Sequence, residues 1–142
     1  QRSWGKGILI TMMDYNRWLN YEFSSGSETG NDYLQFQRQM RNDLKRMCRK
    51  NNLELYSFNK NHYEFSAVLN SGNEYIYISI SDVRFFRNEW YDHVLIRTMK
   101  HLMDWQGGQN QYVKWKDTVK TARKLIDRKR RLKSISNEER II

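Results

Sequence analysis

Between Tyr33 and Met47 the apolar residues return every three or four positions, as Tyr33, Phe36, Met40, Leu44 and Met47. That period lines one face of an α-helix. Asn31 or Asp32 can cap its start, and Asn51-Asn52 ends it after Lys50. From Leu53 the period falls to two. Leu53, Leu55 and Phe58 open a strand, Asn59 to Asn61 read as a turn, and Tyr63, Phe65, Ala67 and Leu69 alternate with His62, Glu64, Ser66 and Val68. Ser71-Gly72-Asn73 turns the chain into a third strand, Glu74 to Ile80, with Ile76, Ile78 and Ile80 on one face and Tyr75, Tyr77 and Ser79 on the other. These tyrosines are expected to pack under a helix, with an open aromatic face as the alternative. After a loop from Ser81 to Asp92, His93 to Arg97 reads as a fourth strand or, taken with Met99, Leu102 and Met103, as the start of a short helix; the strand is preferred. Gly107-Gly108 breaks the pattern. A last helix carries Trp115, Val119, Ala122, Leu125 and Ile126 as its apolar stripe, which fades afterwards to Leu132 alone. Arg128 to Lys133 are therefore expected to project beyond the core, and Ser134 to Ile142 to fray.

The predicted architecture is α+β: a helix, an antiparallel three- to four-stranded meander, a long loop and a C-terminal basic helix, with the helices against one face of the sheet. Residues 1–30 read as an extension with a short amphipathic segment, Met12 to Phe23, and a polar loop, Ser24 to Gly30. Residues 31–127 form the predicted domain, and 128–142 its helical end and tail. Helix, strands and helix is also the order of the double-stranded RNA-binding domain, although the insertion from Ser81 to Asn110 is too long for that module. With 142 residues, 39% of them hydrophobic, and twenty aromatic side chains, the composition is that of a folded chain. The lone cysteine, Cys48, permits no internal disulfide and falls in the apolar helix pattern, which fits a core position and a reducing cytosol. No apolar run reaches the ~20 residues a membrane span needs. The run Gly7 to Met13 is too short for a secretory signal, so a cytoplasmic protein without a membrane partner is expected.

Charge changes the picture more than composition does. The formal net charge is +9, and the twenty residues from Lys114 to Lys133 hold ten Lys or Arg against Asp117 and Asp127 alone, a balance of +8. The rest of the chain is nearly neutral. A field this local attracts polyanions, because each phosphate neutralised releases counterions. Lys116, Lys120, Arg123, Lys124, Arg128, Arg130 and Arg131 are the predicted phosphate contacts. The segment Arg84 to Tyr91 sets Arg84 and Arg87 among Phe85, Phe86, Trp90 and Tyr91, which suits stacking of unpaired bases and equally a plug at the end of the sheet. Arg84, Arg87, Trp90 and Arg97 are the more selective candidates, with Lys100 in support.

Signs of catalysis are weak. Asp82, Glu89, Asp92, His93, His101 and Asp104 fall within about twenty residues and offer the groups of a metal-dependent nuclease. They lack the paired-histidine spacing of a metal site, and Gly107-Gly108 lacks the Lys and Ser or Thr of a phosphate loop. Asp82 fits better as an acceptor for backbone N–H groups where the strand turns into the loop. No catalytic residue, metal or cofactor is predicted.

The stretches Tyr77-Ile78-Ser79-Ile80-Ser81-Asp82-Val83-Arg84-Phe85-Phe86, Glu89-Trp90-Tyr91, Leu95-Ile96-Arg97-Thr98 and Gly107-Gly108-Gln109-Asn110 resemble those of a group of small proteins carried by phages and integrative elements of Gram-positive bacteria. The resemblance implies a setting in which small proteins act on nucleic acid or on host defence, as anti-CRISPR proteins do. The expected function is non-enzymatic binding of nucleic acid, RNA or DNA, or of a complex containing it, such as an RNA-guided nuclease. The alternatives are the metal-dependent nuclease and a module that docks on an acidic protein.

Overall fold

Helix and strand boundaries follow the hydrophobic pattern closely through the middle of the chain and depart from it toward the end. The computed structural model describes residues 13–24, 29–84 and 93–141. Its elements are α1 (Tyr15–Leu19), α2 (Asn31–Lys50), β1 (Glu54–Lys60), β2 (Glu64–Ser71), β3 (Glu74–Ser81), β4 (His93–Thr98), β5 (Asn110–Lys114), a 3₁₀ turn (Trp115–Asp117) and α3 (Thr118–Ile141). The five strands form one antiparallel sheet in sequence order. The class is α+β. Residues 1–43 and 44–142 make two compact units whose boundary falls inside α2. No helix among the described residues is long and apolar enough to cross a membrane.

In the first unit, residues before position 30 are part of an aromatic core with the start of α2. Trp18 stacks parallel to Phe23 at 5.7 Å between ring centroids and meets Phe36 at 5.1 Å, while Phe23 meets Tyr33 edge-on at 5.2 Å. Aromatic pairs of this kind add ~0.5–1.5 kcal/mol each beyond burial. Asp32 accepts the Ser24 N–H at 2.6 Å, the Tyr33 N–H at 2.9 Å and the Tyr21 hydroxyl at 3.0 Å. The Ser24 bond, with those from Tyr21 and Tyr33, holds its carboxyl below the ordinary range. Asp43, buried on α2, accepts the Met13 N–H.

The second unit begins with the last turns of α2. Asn52, at φ 55°, takes the left-handed conformation that ends a helix, and the Leu53 N–H returns to the Cys48 carbonyl at 2.8 Å. Cys48 is buried, which pushes its thiol up to about 12 and makes it a packing residue. In β3 the alternation is complete: Glu74, Ile76, Ile78 and Ile80 are buried, and Tyr75, Tyr77, Ser79 and Ser81 are half-buried on the other face. Register places Phe65, Ala67 and Leu69 of β2 and Val94 and Ile96 of β4 beside the isoleucines. Gly72, at φ 57°, makes the tight turn from β2 to β3.

Helix α3 lies along β3, β4 and β5 on this isoleucine face, burying Val119, Ala122 and Ile126. Tyr75 and Tyr77 are on the opposite face, so the expectation that they lie under a helix is not met by α3. Tyr77 meets Trp105 edge-on at 4.7 Å and Tyr75 meets Tyr56 at 5.4 Å, whereas Tyr63 sits with His62 in the β1–β2 turn. That turn is two residues later than expected, because Lys60 still pairs with Phe65 and the Asn61 N–H closes on the Glu64 carbonyl.

Three differences concern the chain from Asn110 onward. Strand β5 was not foreseen: it is an edge strand with four of five residues exposed, so it shows no alternation. It takes Lys114 out of the helix, which starts at Thr118 after the 3₁₀ turn. The helix then runs past Ser134 to Ile141, and from Thr118 on it meets neither glycine nor proline. Finally, the end of the helix does not simply project. Lys133 donates to Glu74 at 2.8 Å, Lys129 pairs with the other Glu74 oxygen at 2.9 Å, and Arg130 donates to the Ser71 carbonyl at 2.7 Å.

Burial pushes the Glu74 carboxyl upward, but the hydrogen bonds and charges of Lys133 and Lys129 outweigh it and leave the pKa lowered. A depressed carboxylate pKa contributes stability that is complete above the unfolded value, ~4.3, and is lost as acidification passes through the folded value. The E74Q variant should lose about 1–3 kcal/mol at neutral pH. Below pH ~3 the deficit should largely close, as read by urea denaturation; an equal deficit at both pH values would show that the ion pairs are not its source.

Candidate nucleic-acid interface

A helix turns by ~100° per residue, so the ten cations between Lys114 and Lys133 cannot share one face. Four point toward the sheet side and are occupied. Arg123 donates to Asp127 at 2.5 and 3.1 Å and to the Asn52 carbonyl at 3.2 Å. Lys129 donates to the Met99 and Lys100 carbonyls at 2.7 and 3.1 Å besides pairing with Glu74. Arg130 and Lys133 hold Ser71 and Glu74 as described. Five others, Lys116, Lys120, Lys124, Arg128 and Arg131, recur at spacings of four, four, four and three and are exposed. Among the described residues none of these five makes a hydrogen bond or ion pair. Lys114, on β5, is the tenth.

The outward row is thus an uninterrupted cationic stripe. Asp127 is the nearby acid on the helix, and the hydrogen bond from Arg123, with the positive charges of Arg123, Arg130 and Arg131, holds its carboxyl ionised at a lowered pKa. Its charge is offset by Arg123. Beside the stripe a shallow hollow of about 390 Å³ is lined by Lys124, Arg128 and Arg131 together with Gln111, Thr121, Leu125 and the acid Asp127. Sequence reasoning missed Gln111 because it belongs to the unforeseen β5.

Of the seven helix-segment candidates, Lys116, Lys120, Lys124, Arg128 and Arg131 are therefore brought onto one surface. Arg123 and Arg130 are diverted into the fold. The predicted selective contacts fare differently. Arg84 is captured by Asp82 two residues earlier, with guanidinium bonds of 3.0 and 3.3 Å, and its side chain is 9% exposed. Arg97 donates to Asn110 Oδ1 at 2.7 Å and to the Trp105 carbonyl at 2.8 Å, and lies 6.0 Å from the Trp105 ring. Both arginines are engaged within the fold. Arg87 and Trp90 lie outside the described residues, as do Glu89 and Asp92.

Asp82 takes the structural role expected of it: fully buried, it accepts the Arg84 N–H at 2.9 Å and pairs with Lys60 at 3.4 Å. His101 and Asp104 form an isolated bridge in the β4–β5 connection. Among the described residues no three His, Cys, Asp or Glu side chains gather as a metal would require. No family model, curated protein or solved structure matches the chain.

The division of cations is testable by stability alone. K129Q should cost about 1–2 kcal/mol, because two carbonyls lose their donor and Glu74 keeps only Lys133, whereas K120Q, K124Q and R128Q should each stay within about 0.5 kcal/mol of wild type. Equal losses for both sets in urea denaturation would contradict the division.

Proposed function

We propose that the protein is a non-enzymatic nucleic-acid-binding protein whose contact surface is the outward stripe Lys116, Lys120, Lys124, Arg128 and Arg131. The observation that carries this reading is that, among the described residues, four exposed cations on one side of α3 and Lys116 in the 3₁₀ turn before it are left unpaired while their neighbours are neutralised within the fold. Maintaining like charges in a row costs folding energy by self-repulsion, and a polyanion relieves it. The spacing follows one side of a straight helix over roughly 16 Å between Lys120 and Arg131, which suits a run of phosphates. Phosphate contacts of this type bind without sequence preference.

The resemblance of the segment around Tyr77 to Asn110 to small mobile-element proteins supplies a context: a basic protein of this kind would occupy a guide RNA or the nucleic-acid channel of an RNA-guided nuclease. Under the same reading the arginines held by Asp82 and Trp105 support the fold and do not select bases.

Fluorescence anisotropy with labelled RNA and DNA across a salt series tests the proposal. The K120Q/K124Q/R128Q triple variant should bind every sequence more weakly and reduce the slope of log affinity against log salt by roughly 2 for single strands and roughly 3 for duplex. An unchanged slope would remove the stripe from the interface, and no binding at low salt would point instead to an acidic protein partner.

A further inference from the structure

We infer that the cavity beside Arg128 receives an unpaired base, which makes single-stranded nucleic acid the preferred ligand; this rests on the phosphate-binding role proposed for α3. The cavity, about 410 Å³, opens between α3 and the β4–β5 connection. That volume is in the range of small-molecule sites. Ile76, Met99 and Leu125 give it an apolar lining. Leu132 lines it too, 57% exposed, as the sole apolar side chain between Asp127 and Lys133, with Ile135 similarly exposed three residues on. Core packing does not explain Leu132. A flat apolar ligand in the cavity does.

Charge fixes what that ligand carries. Lys129 also lines the cavity, but its ammonium is satisfied by Glu74 and two carbonyls. Arg128 and Lys100, which line the same space, are exposed, and their side chains make no hydrogen bond or ion pair among the described residues. Arg128 and Leu125 line this cavity and also the hollow of Lys124 and Arg131, so the cationic stripe and the apolar cavity are continuous. A ligand spanning both needs an aromatic body and anionic groups repeating beside it. A nucleotide within a strand has that form, with its base in the cavity and its phosphates on Arg128, Lys124 and Lys120. In a duplex the bases are stacked and paired, so a duplex can use the stripe and not the cavity.

The opening is built by backbone that tolerates little change. Gly107 takes φ 72°, and a Cβ on Gly108 would lie 2.4 Å from the Thr98 carbonyl, which packs the connection against the end of β4. The Gln109 N–H donates to the Thr98 hydroxyl at 2.9 Å and fixes the same wall.

The test uses the full chain, a short single-stranded oligonucleotide as RNA and as DNA, the matching duplexes, and free AMP and UMP. L132Q removes apolar contact at an exposed position without altering charge. It should weaken single-strand binding about fivefold or more, the lower end for loss of one base contact, and leave duplex binding unchanged. A 2-aminopurine in the strand should change its emission on binding wild type and should not do so with L132Q. If L132Q has no effect, or weakens strand and duplex equally, while K120Q/K124Q/R128Q weakens both, the base cavity is refuted and the phosphate stripe stands. If the triple variant changes nothing, the stripe itself is wrong and the strand-binding inference falls with it. Free AMP or UMP binding as tightly as the oligonucleotide would overturn the strand as the ligand and leave a nucleotide site.

Discussion

The buried carboxylate of Glu74 sets the geometry on which the rest depends. It occupies the same face of β3 as Ile76, Ile78 and Ile80 and is 6% exposed, where an unpaired charge would be costly. Lys129 and Lys133, one turn apart on α3, supply the compensation. Two cations at that spacing fix the rotation of the helix as well as its position. Once they face the sheet, Lys120, Lys124, Arg128 and Arg131 must face away from it, and the exposed Lys116 of the 3₁₀ turn precedes them. Arg130 on Ser71 and Arg123 on Asp127 and Asn52 secure the same rotation from the flank. The acid that neutralises part of the basic segment is therefore also what sorts the remainder into a surface.

Arginines beside aromatic rings in sequence suggested base stacking, and in the described residues they serve the fold. Asp82 binds Arg84, and the Trp105 carbonyl and Asn110 bind Arg97. Guanidinium groups offer five donors and suit the joining of a carboxylate or several carbonyls across a loop. Trp105 in turn covers Tyr77, whose hydroxyl pKa is raised by burial first and then by the charge of Glu64. Tyr56 on β1 and Tyr112 on β5, 52% and 61% exposed, lie at the two edges of the sheet.

Much of the fold is legible in the sequence because period alone decides it. The stripe Tyr33, Phe36, Met40, Leu44 and Met47 is buried throughout α2, and the isoleucine alternation of β3 holds residue for residue. Strand β5 was illegible because an exposed edge strand needs no apolar face. The fate of the cations was half legible. Glu74 shares the parity of three isoleucines, which marks a buried acid in need of partners, but its partners come from 55 and more residues later in the chain and depend on how α3 crosses the sheet. The capture of Arg97 depends on the path of the β4–β5 connection, which no local pattern encodes.

Lysine acetylation footprinting read by mass spectrometry tests the central claim most directly, since it reports which side of α3 meets the ligand. Added single-stranded oligonucleotide should protect Lys116, Lys120 and Lys124 and leave the exposed Lys45 and Lys50 of α2 as reactive as before. Protection confined to α2, or no protection on α3 at a concentration that saturates binding, would contradict the account.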